Sequence, residues 1–96
     1  MIIVQLLEER RAEIKRIAAK HGAHNVRVFG SVARGEAGPN SDVDLLVDTG
    51  STTSSWFPAG LIVELEDLLG RRVEIVTENA LNPALRDRVL REAIPL

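Results

Sequence analysis

A carboxylate inside a short apolar run most constrains how this chain can fold. Residues 43–47 read Val-Asp-Leu-Leu-Val, and Asp42 stands directly before them. An apolar run of this length, bounded by polar residues, predicts a buried β-strand. Side chains two residues apart point to the same face of a strand, so we expect Asp42 and Asp44 to project together. Two such carboxylates repel each other unless a proton or a cation lies between them.

A glycine–serine turn precedes this strand. A strand predicted over residues 25–29 ends at Gly30-Ser31, and one helical turn is predicted over residues 31–34. Glycine lets the backbone approach a ligand closely, and the amides that open such a turn, together with the Ser31 hydroxyl, can donate to a phosphate. Mg²⁺ prefers carboxylate oxygens combined with phosphate and water. The turn and the two aspartates therefore predict the two halves of one phosphate and magnesium site.

A third carboxylate, Glu74, lies in the last predicted strand, residues 73–76, with apolar neighbours on both sides. If this strand lies beside the strand of Asp44, the two carboxylates face each other. Three carboxylates around two metal ions suit in-line nucleotidyl transfer. One metal binds the triphosphate, and the second metal, or the third carboxylate as a base, activates the attacking hydroxyl. The alternative is that Glu74 is an exposed acid on an edge strand.

Helices are predicted between the strands. Hydrophobic spacing predicts helices over residues 3–20 and 57–69, and a last helix that begins at Asn82-Pro83 and is stopped by Pro95. Trp56 and Phe57 are expected to anchor the preceding loop to the core. The element order predicts an α/β (α+β) fold in which helices cover a small mixed three-stranded sheet. The 96 residues fit a single domain, residues 1–96.

Composition excludes several classes of protein. The net charge is −2, so binding to nucleic acid through a general basic surface is not expected. The chain has no cysteine, which excludes disulfides, thiolate metal sites and a thiol nucleophile. The apolar N-terminal residues are too few for a signal peptide or a membrane span, so a cytoplasmic location without membrane contact is the expectation.

These motifs resemble a known family. The segment GSxARG at residues 30–35, followed by SDxDL at residues 41–45, resembles the signature of the DNA polymerase β-like nucleotidyltransferase superfamily. The chain is similar over nearly its whole length to the minimal nucleotidyltransferases (MNT) of prokaryotes. This resemblance implies a polymerase β-like core, Mg²⁺, a nucleoside triphosphate, and transfer of a nucleoside monophosphate.

The resemblance also implies roles for individual residues. The family usually has an aspartate at the place of Glu74, and glutamate keeps the charge but adds one methylene. Arg34 belongs to the motif and supports either the turn or a phosphate. The implied cofactor-binding residues are Gly30, Ser31 and Arg34, and the implied catalytic and metal-binding residues are Asp42, Asp44 and Glu74.

A protein partner is implied as well. Many MNT proteins are antitoxins paired with a HEPN-domain toxin, and some transfer AMP from ATP to a tyrosine of that toxin. We therefore expect a hetero-oligomer with such a toxin, because nothing in the 96 residues supplies a second substrate-binding domain. The alternative is a non-catalytic module that neutralises the toxin by docking alone, which the exchange at Glu74 favours. Transfer to a small molecule, as in antibiotic-modifying relatives, has no sequence feature in its support.

Overall fold

The computed structural model describes residues 3–96, so Met1 and Ile2, with which the predicted domain begins, lie outside the described residues. In chain order the described elements are α1 (Ile3–Glu9), α2 (Arg11–Lys20), β1 (Ala23–Phe29), α3 (Gly30–Ala33), β2 (Val43–Thr49), α4 (Ala59–Leu69), β3 (Val73–Thr77), a 3₁₀ turn (Glu78–Ala80), α5 (Pro83–Glu92) and β4 (Ile94–Pro95).

The sheet has the strand order β3-β2-β1-β4. Strand β1 runs antiparallel to both β2 and β4, whereas β2 and β3 are parallel. The parallel pair is joined through α4, since parallel neighbours need a crossover connection. The mixed α/β prediction is confirmed, and so is the pairing of the second and third strands.

The predicted three-stranded sheet is wrong by one strand. Helix α5 ends at Glu92, and Ala93 takes an extended backbone conformation with ψ of 135°. Ile94 and Pro95 then pair with Val28 and Arg27 of β1. Proline is tolerated there because an edge strand does not need every N–H group. Pro95 was predicted only to stop the helix, which in fact ends before it.

The predicted helix over residues 3–20 is two helices. Arg10 separates them, with φ of −99° and ψ of 9°. Each helix buries its own pair at i and i+4 spacing: Ile3 and Leu7 in α1, and Ile14 and Ala18 in α2. All four positions share one helical phase, which is why the sequence predicts a single helix. The break falls at Arg10, in a stretch between Leu7 and Ile14 that holds no buried residue.

The loop before α4 also differs from the prediction. The helix begins at Ala59 because Phe57 precedes Pro58, and a residue before proline is disfavoured in a helix. Phe57 packs against the core as expected. Trp56 does not, since it is 90% exposed. The prediction that both aromatic residues anchor the loop is therefore wrong for Trp56.

Two helix ends and the core follow the sequence signals. Asn82 caps α5 by accepting a hydrogen bond of 2.9 Å from the Ala84 amide, and Gly70 ends α4 in the left-handed conformation. Helix α2 packs on β1 and α4 on β3. The most deeply buried side chains are Ile14, Val43, Leu45, Leu46, Val47, Leu61 and Leu65. Among residues 3–96, no helix is both long and apolar enough to cross a membrane.

The burial of α4 predicts a clear contrast between two truncations. Leu61 is fully buried, whereas Val63, on the same helix, is 57% exposed. We expect Leu61→Ala to lower the free energy of unfolding by about 3 kcal/mol, because it removes buried contacts and leaves a cavity. Val63→Ala should lower it by well under about 1 kcal/mol. Denaturant titration measures both, and equal losses would contradict the packing of α4.

Candidate active site

The register between β1 and β2 places Asp44 against the glycine–serine turn. Phe29, the last residue of β1, is the antiparallel partner of Asp44. Gly30 follows with φ of +75°, a conformation that favours glycine. A Cβ atom at Gly30 would overlap the Oδ2 atom of Asp44, so the carboxylate lies directly on the turn. The carboxylate and the turn, separated by the loop before β2 in sequence, form one site.

Two further carboxylates flank Asp44. Glu74 of β3 is its direct partner in the parallel register, and Asp42 lies one residue before β2 begins. Asp44 is half-buried, whereas Asp42 and Glu74 are exposed. Burial, the negative charge of Glu74, a hydrogen bond with Glu74 and the charge of Asp42 raise the pKa of Asp44 to about 6, although Arg34 acts in the opposite direction. Unfavourable negative charge is therefore concentrated at this end of β2.

The donor atoms and the charge around Asp44 decide whether the site suits a metal ion. Within residues 3–96, no three His, Cys, Asp or Glu side chains converge as a ready-made metal-binding group. The oxygen-only donors around Asp44 nevertheless match the ligands that Mg²⁺ takes. Burial, followed by the charges of Glu74 and Asp42, raises the pKa of Asp44, so its ionised form is poorly stabilised in the folded chain. The side chains fit a hard divalent cation in chemistry, with Asp44 at the centre.

The turn after β1 is a short helix, α3, closed by its own backbone. The Arg34 amide donates to the Gly30 carbonyl at 3.1 Å, and the Glu36 amide donates to the Ser31 carbonyl at 2.8 Å. Val32 is buried and anchors the turn to the core, while Ser31 stays half-buried. This packing leaves the Ser31 side chain on the surface that carries Asp44.

Glu92, at the end of α5, holds the turn from the other side. Its Oε2 atom accepts a 2.6 Å hydrogen bond from the Gly30 amide, and Nη1 of Arg34 donates to both carboxylate oxygens at 3.1 and 3.2 Å. Burial alone would raise the pKa of Glu92, but the hydrogen bonds from Gly30 and Arg34 lower it. Nε of Arg34 donates to Glu36 at 2.9 Å, and these hydrogen bonds to Glu36 and Glu92 raise the pKa of Arg34.

Sequence reasoning missed Glu92. The signal in the sequence was a carboxylate in the last turn of a helix, where the helix dipole favours cations instead. That signal marks the residue as unusual, but it does not reveal a partner 62 residues away in the chain. The contact depends on how α5 crosses α3.

The turn, Asp44 and α5 line an open cleft of about 330 Å³. That volume is at the lower end of the range for small-molecule sites. One wall comes from β1, the turn and β2, and the other comes from α5. The lining residues are Phe29, Gly30, Ser31, Arg34 and Asp44 on the first wall, and Leu85, Arg88, Val89 and Glu92 on the second.

The fold and this cleft define a class of enzyme. The Nucleotidyltransferase domain family matches residues 7–96, so the chain belongs to that family and is a nucleotidyltransferase. Its mixed α/β architecture is the polymerase β-like nucleotidyltransferase fold.

Similar proteins carry related names. A Methanocaldococcus jannaschii protein, named as a candidate protein adenylyltransferase, is 40% identical over 88 residues, which cover 92% of this chain and 95% of that protein. The protein adenylyltransferase MntA of Thermococcus cleftensis is 40% identical over 83 residues, which cover 86% of this chain and 84% of MntA. The predicted resemblance to minimal nucleotidyltransferases is confirmed.

Solved structures share this fold. One that is described as a candidate minimal nucleotidyltransferase has a TM-score of 0.86 and 52% identity, and the match covers 99% of this chain and 97% of that one. A toxin–antitoxin crystal structure with AMP-PNP has a TM-score of 0.71 and 22% identity, and the match covers 92% of this chain and 70% of that one. At 22% identity this second likeness shows the fold alone.

Two glycines in the left-handed conformation allow a matched test of the turn. Gly30 and Gly35 have φ of +75° and +73°, but only at Gly30 would a Cβ atom meet another group. We expect Gly35→Ala to lower the free energy of unfolding by about 1 kcal/mol, from backbone strain alone. Gly30→Ala should lower the free energy of unfolding by roughly twice as much, because Asp44 must also move. Chemical denaturation compares them, and equal costs would contradict the contact between Gly30 and Asp44.

The raised pKa of Asp44 predicts a pH-dependent stability difference. The folded protein holds this proton up to a pH of about 6, whereas the ordinary pKa of an aspartate is 3.8. The folded state therefore binds more protons, so the contribution of Asp44 to stability falls as the pH rises from about 4 to about 6. Asp44→Asn should be more stable than the wild type by about 1 kcal/mol at pH 7.5, after allowance for solvent screening.

Thermal unfolding between pH 4 and pH 8 measures this difference. The gap in melting temperature between Asp44→Asn and the wild type should narrow as the pH falls and Asp44 becomes protonated. Asp67→Asn, an exposed change on α4, is the control and should track the wild type at every pH. A gap that stays constant with pH would contradict the raised pKa of Asp44.

Proposed function

We propose that this chain is a Mg²⁺-dependent nucleotidyltransferase that transfers AMP from ATP to a partner protein. In this proposal, residues 1–96 act as one minimal nucleotidyltransferase domain and work in the cytoplasm. The partner is a HEPN-domain toxin, and the chain is the antitoxin of the pair. The names of the relatives and the toxin–antitoxin assemblies among the fold neighbours support this choice of acceptor.

One observation carries the proposal. Asp44 lies directly on the Gly30 turn and has an acidic partner on the neighbouring strand. A nucleotidyl transfer site needs this combination, because the phosphate tail and the carboxylates that share its cation must be within a few ångströms of each other. A carboxylate that served only the fold would gain nothing from a position that raises its pKa to about 6.

The candidate site residues take distinct roles in this proposal, and of these Asp42 lies outside the lining of the cleft. Asp42 and Asp44 hold the cation, and the cation, when bound, neutralises charge on the triphosphate and joins it to the protein. The Ser31 hydroxyl faces the phosphate tail, whereas the Gly30 amide, predicted as a phosphate donor, is bonded to Glu92 and holds the turn in shape. Arg34 borders the same cleft, and its Nε and Nη1 atoms are bonded to Glu36 and Glu92, so it keeps the turn in shape.

Glu74 is the proposed third carboxylate. Its position opposite Asp44 in the parallel register supports a role as a base or as a second metal ligand. The extra methylene, compared with aspartate, moves its carboxylate by ~1.5 Å. Glu74 is exposed, so its side chain has room to adjust to an incoming hydroxyl group.

A labelling experiment tests the proposal. The purified chain is incubated with its cognate HEPN partner, Mg²⁺ and ATP labelled at the α-phosphate, and the label on the partner is measured. We expect transfer by the wild type that EDTA abolishes and added Mg²⁺ restores. Asp42→Asn and Asp44→Asn should each reduce the transfer rate by roughly 100-fold or more, because each removes charge stabilisation in the transition state.

Asp67→Asn is the matched control and should transfer at the wild-type rate, since this exposed residue of α4 does not line the cleft. Transfer at the wild-type rate by Asp44→Asn would contradict the proposed role of the cleft. If the partner remains unlabelled but is still neutralised by the Asp42→Asn/Asp44→Asn double variant, the chain acts by docking alone.

A further inference from the structure

Two arginines line the candidate cleft in the described part of the chain, and they differ in how far their charge is already used. Arg34, on the turn, donates from Nε to Glu36 and from Nη1 to both oxygens of Glu92. Its guanidinium is therefore neutralised and oriented by two carboxylates of the protein itself. An incoming phosphate would have to compete with both of them.

Arg88 lies on the opposite wall of the cleft, on α5. Its side chain is 62% exposed, and its Nε atom is 3.9 Å from Oε1 of Glu92, which is at the limit for an ion pair. The Glu92 oxygens already accept hydrogen bonds from Gly30 and Arg34. An exposed ion pair at this N–O distance contributes little to stability. The charge of Arg88 therefore remains available to a ligand.

Arg88 lies across the cleft from Ser31, the predicted phosphate-binding residue. Ser31 and Asp44 line the same cleft from the first wall, and Val89, next to Arg88, is buried and fixes the helix in place. An anion between the walls would meet the Ser31 hydroxyl on one side and a planar guanidinium on the other. Arginine is suited to this because its fork of N–H donors matches two oxygens of a phosphate group.

We propose that Arg88 binds the polyphosphate tail of the nucleotide donor, an inference that rests on the nucleotidyltransferase function proposed above. Arg34 then serves to position the turn, and Arg88 supplies the cation that contacts the ligand. Arg88 thereby discriminates a nucleoside triphosphate from the corresponding monophosphate, which lacks the outer phosphates.

Nucleotide affinities of four proteins test this role. The wild type, Arg88→Gln, Arg88→Lys and Arg91→Gln are titrated in Mg²⁺ with a non-hydrolysable ATP analogue and, separately, with AMP. We expect Arg88→Gln to weaken binding of the ATP analogue by roughly 10-fold or more, the loss of a charge-assisted contact, and to leave AMP affinity unchanged. Arg88→Lys should restore part of the loss, because it keeps the charge but not the fork.

Arg91→Gln is the matched control. Arg91 is an exposed arginine on the same helix that does not line the cleft, so its exchange should change neither affinity. Melting temperatures of all variants should equal that of the wild type, because both side chains are exposed. An effect of Arg88→Gln on AMP binding equal to that on the ATP analogue would overturn the proposed contact with the outer phosphates.

The transfer assay separates the remaining outcomes. If Arg88→Gln binds the ATP analogue as the wild type does but needs more partner protein for half-maximal labelling, Arg88 contacts the partner and the inference is wrong. The proposed function survives that result. A wild type that binds no nucleotide and labels no partner would overturn the proposed function and the role of Arg88 together.

Discussion

The contact between Asp44 and the Gly30 turn is the constraint on which the rest of the site depends. The antiparallel register of β1 and β2 sets it, because that register pairs Phe29 with Asp44 and so brings the end of one strand onto the start of the other. A shift of one residue would turn Asp44 to the opposite face of the sheet, into the core that holds Leu45. The buried residues of β2 therefore do more than stabilise the fold: they fix the direction in which the carboxylate points.

The crowding of negative charge at this point has a cost in stability. Asp44 is half-buried beside Glu74 and near Asp42, and burial first, then the charges of these two neighbours, raise its pKa to about 6. Sites that bind cations or developing positive charge commonly hold such unfavourable charge when they are empty. The surrounding structure supports it with a well-packed β2 strand and with the hydrogen bonds of Glu92, which hold the adjacent turn in place.

The parts of the fold that have strong local signals could be predicted from the sequence. The strand at 43–47 and the helix start at Asn82 are decided by nearby residues, and both match the structure. The fourth strand was missed because two residues carry no periodicity, and Trp56 was misjudged because no local rule decides which of two adjacent aromatic residues packs inward. The spacing of Asp42 and Asp44 predicts that they share one face of the strand. Contributions from α5 were not predictable, because they depend on how a distant helix packs.

The two walls of the cleft come from distant parts of the chain, and this has a consequence for synthesis. During translation the strands that carry Asp44 and Glu74 are made well before α5 and its Glu92. A nascent chain that ends at the 3₁₀ turn already contains the acidic half of the site, but the Gly30 amide has no carboxylate acceptor and Arg34 has lost one of its two ion pairs. Completion of the cleft therefore waits for α5, and a polypeptide cut short before this helix would carry an acidic pocket without its opposing wall.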